Sequence, residues 1–286
     1  MAAYKSSPRP TFAGATHIPY AGVTRFLWGD ETAGFVDDWI YASTDKIHQL
    51  VFGLPPHGAF RHSKDRPTVF GADEVLYVLE GTLGSANPET GEIYVAQAGE
   101  AIFFRKNTWH HGFSLTGEPL RVLEYFAPPP STGTSGPYAR TRPYVEQSKY
   151  RQDDFIGRWP MATDEQRASA TMRVMRDGDL LWELDGADQG VLTGLYASTE
   201  HLTVGRSSVA PGRASALHAH GGDECLYLLS GTLNMLVPEK DGQTWFEIHP
   251  KDGFFIPAGE KHQYWNMGKE PAVFVFGVAP HYQVKP

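Results

Sequence analysis

The chain has 286 residues, with 25 Lys and Arg against 33 Asp and Glu, a formal net charge of −8 with its 12 histidines neutral. That length suits two ordinary domains or one large barrel, and an acidic chain without any basic run argues against a nucleic-acid partner. The 30 glycines and 21 prolines beside 41 % hydrophobic residues describe a turn-rich globular chain rather than a disordered one.

The N-terminal ten residues lack the apolar stretch of a secretory leader, and no segment is apolar for long enough to span a bilayer. The single cysteine, Cys225, excludes an intramolecular disulfide. A cytoplasmic protein with no membrane partner is expected. Short runs rich in β-branched and aromatic residues then follow at roughly ten-residue spacing, at 39–43, 47–52, 75–79, 102–104 and 120–126. From Pro128 to about residue 140 the composition is that of a linker. A helix is predicted over 163–176, from the Thr163-x-x-Gln166 capping pattern and Gly178 beyond its end. Further strands are predicted at 226–229, 254–256 and 273–278.

An internal repeat organises these elements. Tyr41-Ala-Ser-Thr recurs as Tyr196-Ala-Ser-Thr, and Leu27-Trp28 as Leu181-Trp182. Glu74-Val-Leu-Tyr-Val-Leu-Glu-Gly-Thr-Leu recurs as Glu224-Cys-Leu-Tyr-Leu-Leu-Ser-Gly-Thr-Leu, and Phe126-Ala-Pro as Val278-Ala-Pro, a period near 150–155 residues. One β unit has been duplicated. The implied organisation is a first barrel with its arm at 1–130, a linker and helix at 131–178, and a second barrel at 179–286.

The second unit carries the chemistry. Gly212 is followed by His218-Ala-His220, Glu224 and Gly231, and farther on by Pro257-Ala-Gly259-Glu-Lys-His262. Residues i and i+2 of a strand share a face, so His218 and His220 project together, and Gly221-Gly222 and Pro257-Ala-Gly259 supply the turns that return Glu224 and His262 to them. Four polar groups buried without partners would cost about 1–3 kcal/mol each. A divalent metal removes that cost.

This spacing resembles the two sequence motifs of the cupin superfamily, and the duplication makes the chain similar to a bicupin. The resemblance implies an all-β fold of two tandem jelly-roll (double-stranded β-helix) barrels with a short helix in the connecting region. It also implies metal-ligand roles for His218, His220, Glu224 and His262. One departure is Lys251, which stands where the second motif usually begins with Gly; the nearby Gly253 is expected to supply the turn.

In the first unit Glu74 aligns with Glu224, His110 with His262, and Asn107 with Gly259, Asn being tolerant of the left-handed conformation. Ser63 and Asp65 fall where His218 and His220 stand. Two readings follow: a small shift in register brings His62, Glu74 and His110 into a second metal site, or this barrel has lost its metal and serves folding and dimerisation.

Tyr264, two residues beyond His262, is expected to face the same interior as a catalytic phenol or a wall residue. Phe274 and Phe276, or alternatively Val273 and Val275, are expected to line its apolar side. Cys225, of opposite strand parity to Glu224, reads as a packed thiol. Arg105 and Arg121 are candidates for a carboxylate ligand or for salt bridges.

Three imidazoles and one carboxylate suit one divalent transition metal, Fe(II) before Mn, Ni, Co, Cu or Zn, with two open positions for a chelating substrate. The leading expectation is a non-haem Fe(II) dioxygenase acting, with O2, on a small oxygenated or aromatic metabolite. The alternatives are an isomerase, lyase or decarboxylase working through an enediolate, and a non-catalytic binding or storage protein. Exposed sheet edges predict a homodimer.

Overall fold

The computed structural model describes residues 7–62, 68–127, 139–141, 143–145, 147–168 and 170–284. The linker from Pro128 to Tyr138, and Ser63 and Asp65, lie outside the described residues.

Each unit of the repeat is a jelly-roll barrel made of one large antiparallel sheet and one small one. The large sheet of the first barrel runs Met172–Met175, Ala101–Phe104, Asp73–Glu80, Leu120–Ala127, His48–Leu54, Gly34–Ser43 and Thr24–Asp30. Its small sheet runs Ala59–Phe60, His111–Ser114, Thr82–Ala86 and Ile93–Gln97. The second barrel repeats the plan with Thr16–Ile18, Gly253–Ile256, Asp223–Ser230, Ala272–Ala279, Thr203–Val209, Val191–Ser198 and Leu181–Asp185. Trp245–Ile248, Leu233–Leu236 and Gln263–Trp265 close it. The strands expected from the sequence lie within these, apart from Ile47, one residue before its strand.

The barrels exchange edge strands. Thr16–Ile18, from the N-terminal arm, pairs with Gly253–Ile256 of the second barrel, and Met172–Met175 pairs with Ala101–Phe104 of the first. This second pairing corrects the predicted helix. Only Thr163–Arg167 is helical, with Ala162 at its N-cap and the Thr163 hydroxyl donating to the Pro160 carbonyl at 2.6 Å. The Met172-x-Val174 alternation is claimed instead by the open ladder of Ala101–Phe104, because pairing along an exposed edge outweighs weak helix propensity.

The two large sheets pack face to face. Their shared layer holds Tyr41, Tyr77, Tyr125, Tyr196 and Tyr227 together with Val51, Leu123, Phe255 and Val275. Cys225 is fully buried there, as its strand parity requires. The tyrosine hydroxyls find partners across the layer: Tyr41 donates to the Lys251 carbonyl at 2.6 Å and Tyr125 to the Val275 carbonyl at 3.1 Å. Close approach depends on glycine. A Cβ on Gly277 would stand 2.4 Å from the Tyr125 ring and one on Gly253 2.6 Å from the Tyr41 ring.

Gly253 is therefore a packing residue inside a strand and does not supply the expected turn. Lys251 itself turns the chain, at φ 76°, the left-handed conformation that Gly99 holds in the first barrel at φ 91°. Asn107 (φ 65°) and Gly259 (φ 80°) match in the same way.

Candidate metal centre

The second barrel brings His218, His220, Glu224, His262 and Tyr264 to one end of its interior. Alternation along Asp223–Ser230 turns Leu226 and Leu228 into the barrel core and Cys225 and Tyr227 toward the other barrel, and Glu224 shares the inward parity. His218 and His262 face each other across a single antiparallel bridge, their backbones exchanging hydrogen bonds of 3.0 and 2.8 Å. The segment leading to His218 and His220 is thus a loop held at two isolated bridges, Ala214 with Trp265 and His218 with His262, rather than the continuous strand expected from the sequence. The left-handed turn at Gly259 sends its N–H to the His220 carbonyl at 2.8 Å, which ties the two ligand-bearing loops together.

Each imidazole is oriented by a backbone carbonyl. Nδ1 of His218 lies 2.9 Å from the Ala216 carbonyl, Nδ1 of His220 2.7 Å from that of Tyr282, and Nδ1 of His262 3.0 Å from that of Glu260. A carbonyl only accepts, so each Nδ1 carries the proton and each Nε2 is left with a bare lone pair, the arrangement that presents histidine to a metal. One ligand atom from each of the three rings falls within 4.8 Å of the others. Glu224 Oε2 lies 3.0 Å from His262 Nε2 and 3.7 Å from His220 Nε2. Oε2 and the His262 Nε2 are both buried, and neither takes part in a hydrogen bond. The other carboxylate oxygen, Oε1, accepts a 2.6 Å hydrogen bond from the Tyr264 hydroxyl.

The electrostatics say the same. Burial pushes the Glu224 carboxyl up, but the neighbouring His262 and His220 rings and the Tyr264 hydroxyl more than offset it and hold the group at about 2. Burial lowers His218 to about 4 and lowers His220 as well. His262 is raised: burial lowers it, but the Glu224 carboxylate together with the carbonyl and charge of Glu260 outweighs that. An ionised carboxylate beside two imidazoles that resist protonation calls for a positive charge at the shared focus. These residues fit a divalent metal on two counts: orphaned buried donors converge, and the tautomers are already set.

A cavity of about 680 Å³ opens beside the cluster, lined by His218, His220 and Tyr264 on the inner side and by Glu183, Asp185, Thr193, Ser207, Phe276 and Tyr282 around it. The Thr193 and Ser207 hydroxyls lie 2.7 Å apart, and the Tyr282 ring stacks on His220 at 4.7 Å. Phe274 and Phe276 belong to the barrel interior, whereas Val275 belongs to the layer between barrels. The acidic pair on Leu181–Asp185 and the carbonyl of Tyr282 were not singled out from the sequence. The repeat of Leu27-Trp28 as Leu181-Trp182 was the available pointer to that strand.

The first barrel differs. His110 Nε2 lies 3.6 Å from Glu74 Oε1, but the His62 and His110 rings are 5.9 Å apart, and His62 also packs against Trp109 and His111. Among the described residues, His218, His220 and His262 form the one group with three metal-donor atoms this close, so His62, Glu74 and His110 do not make a second such centre. Arg105 is a salt-bridge residue between the halves, 2.9 Å from Asp73 and 3.0 Å from Glu200. Arg121 lies over the Trp39 ring at 4.7 Å.

The model of the cupin domain matches residues 56–126 and 205–278. Among curated proteins none matches the sequence significantly. Among solved structures, a protein from Pseudomonas aeruginosa described as glyoxylate-induced is 15 % identical, covers 98 % of this chain and 96 % of its own, and superposes with a TM-score of 0.66. The oxalate decarboxylase of Lactobacillus farciminis, solved with formate, is 13 % identical over 96 % of this chain and 88 % of its own, with a TM-score of 0.61. That of Bacillus subtilis is 15 % identical over 96 % and 78 %, with a TM-score of 0.60. At these identities the likeness is one of fold. No described helix is long and apolar enough to cross a membrane.

Proposed function

The chain belongs to the cupin family, with two cupin domains in tandem, and from that premise we propose that its second barrel is the active site of a metal-dependent dioxygenase acting on a small, uncharged, oxygenated molecule. The observation that carries this reading is the donor set: three Nε2 lone pairs, their tautomers fixed by backbone carbonyls, facing a buried carboxylate oxygen without a hydrogen bond. His218, His220, Glu224 and His262 would hold one divalent ion, Fe(II) first among the candidates. When bound, that ion supplies Lewis acidity toward a chelating substrate and, if redox-active, a route for electrons to dioxygen.

The chain's own residues define the rest. The cavity falls within the 300–1,000 Å³ usual for small-molecule sites. Val191, Phe276 and Tyr282 give it apolar walls, and the Thr193 and Ser207 hydroxyls give it a polar patch for a substrate oxygen. Among the described lining residues the acidic groups are Glu183 and Asp185, and no Lys or Arg accompanies them. A dianion such as the oxalate named for two of the structural neighbours would meet like charge at that wall, so an uncharged substrate is the better match.

Tyr264 stays protonated, since burial and the adjacent Glu224 push its phenol well up. Its proton is committed to Glu224 at 2.6 Å, which leaves the phenolic oxygen able to accept a hydrogen bond from a substrate hydroxyl. A proton leaving the substrate can therefore pass to Tyr264 as the Tyr264 proton passes to Glu224. The same path favours a second reading, O2-independent isomerase, lyase or decarboxylase chemistry through an enediolate.

Turnover of a panel of enediols, hydroxy-ketones and β-diketones, compared in air and under nitrogen, separates the two. The dioxygenase reading requires oxygen uptake in step with product and no turnover under nitrogen; equal turnover without oxygen would replace it with the enediolate reading.

A further inference from the structure

The first barrel encloses a cavity of its own, about 90 Å³, into which Asp38, Glu74 and Glu124 all project. Asp38 is 6 % exposed and Glu124 8 %. Neither carboxyl has a hydrogen bond or ion pair among the described residues, and Glu74 meets only His110, at 3.6 Å. Much of the remaining wall is aromatic, with Trp28, Phe52, Phe60 and Phe126 among its residues, and the described lining residues include no Lys or Arg.

Glu74 stands where the second barrel has Glu224, but the repeat within the chain shows that Asp38 and Glu124 are not the residue of a lost metal site. Glu124 pairs with Leu76 as Phe276 pairs with Leu226, so Glu124 occupies the position of Phe276. Asp38 pairs with Phe52 as Thr193 pairs with Ser207, so Asp38 occupies the position of Thr193. Where the barrel with the histidine cluster carries a phenyl ring and a hydroxyl, this one carries two buried carboxyls without partners. Loss of a metal explains missing histidines. It does not explain carboxyls added elsewhere on the wall.

We propose that the first barrel's cavity binds a small organic cation, an ammonium group on a short apolar body, with Asp38, Glu74 and Glu124 around the charge and the aromatic rings around the body. Three carboxyls offer acceptors for the three N–H donors of an ammonium group, and ring faces attract a desolvated cation. The cavity is smaller than the ~150 Å³ that takes benzene, which limits the ligand to a few non-hydrogen atoms.

Among the described residues, six titratable groups face the space: Asp38, His48, His62, Glu74, His110 and Glu124. Burial pushes Glu74 up to about 8 and Glu124 and Asp38 well up, and pushes His48 down to about 3 and His110 to about 4. The empty pocket therefore carries little net charge near neutrality, and an entering ammonium ion displaces a carboxyl proton to solvent.

The test is calorimetric titration of the full-length, metal-loaded protein with ethylammonium, its uncharged near-isostere ethanol, and propionate, with an indicator dye reporting protons in weakly buffered solution. Saturable binding of ethylammonium with proton release, and no binding of ethanol or propionate, is expected. Glu124→Gln should weaken it by about tenfold or more, and Glu124→Phe, the residue the second barrel uses, should abolish it. His218→Ala should leave it unchanged. Failure of ethylammonium to saturate, equal binding of ethanol, tighter binding of propionate, or loss in His218→Ala rather than Glu124→Gln would overturn the assignment. So would a second divalent metal ion per chain, found by metal analysis, that Glu124→Gln removes.

Discussion

Replacing Glu74 with Gln should change how stability depends on pH, in a direction fixed by the structure. Burial holds the Glu74 carboxyl protonated up to about 8, whereas the unfolded chain releases that proton near 4.5. The folded state thus binds a proton that the unfolded state has lost. The stabilisation from this group is complete below the lower value and declines as pH rises toward the upper one. A group protonated in the folded state and ionised in the unfolded one costs stability with each pH decade in that window, so from about pH 5.5 to about pH 7.5 the native protein should lose on the order of 2 to 3 kcal/mol through Glu74. His110, lowered to about 4 by burial, works oppositely, its stabilisation fading as pH falls below its ordinary 6.5. Comparison with Glu74→Gln cancels that term. Urea unfolding of both proteins in phosphate, free of amines, should show the native chain losing stability relative to the variant as pH rises. A gap between them that stays constant within about 0.5 kcal/mol across the window would refute the assignment of a buried, protonated Glu74.

Tyr264→Phe removes the donor to Glu224 Oε1; it should keep the bound metal but lower turnover about 10²-fold or more, as loss of a proton-transfer group does, and unchanged turnover would make Tyr264 a wall residue. Gly277→Ala drives a Cβ to 2.4 Å from the Tyr125 ring in the layer between barrels. Denaturant titration should show it about 1–3 kcal/mol less stable, with metal content unaltered; no loss would mean the two sheets are not locked at that contact. We also propose a homodimer joined through outer sheet edges such as Leu181–Asp185, where Leu181 and Leu184 are exposed. Light scattering should then give twice the 31.7 kDa chain mass, and a monomer mass would contradict it.

The repeat, the strands and the meeting of His218, His220, Glu224 and His262 at one end of the second barrel were legible in the sequence, from strand periodicity, turn residues and the resemblance to the cupin motifs. Strand periodicity places Glu224 inward and Cys225 outward, and Gly or Asn marks the left-handed turns before His262 and His110. What the sequence hid depends on partners distant along the chain. Met172–Met175 reads as the end of a helix until the open edge of Ala101–Phe104 is present to pair with it. Lys251 stands at the place of a motif glycine, but a lysine does not itself show that the left-handed conformation is kept there rather than moved to Gly253. The groups that orient the three histidines are backbone carbonyls, which carry no residue signature. Glu124 is one acid in a mostly apolar strand and Asp38 the second of the pair Asp37-Asp38, and their meaning emerges only when the two barrels are compared register by register.

Metal analysis of protein purified without chelator tests the account most directly. It predicts one divalent transition ion per chain, absent from His262→Ala and retained in His110→Ala. Two ions per chain, or an ion that survives His262→Ala, would contradict it.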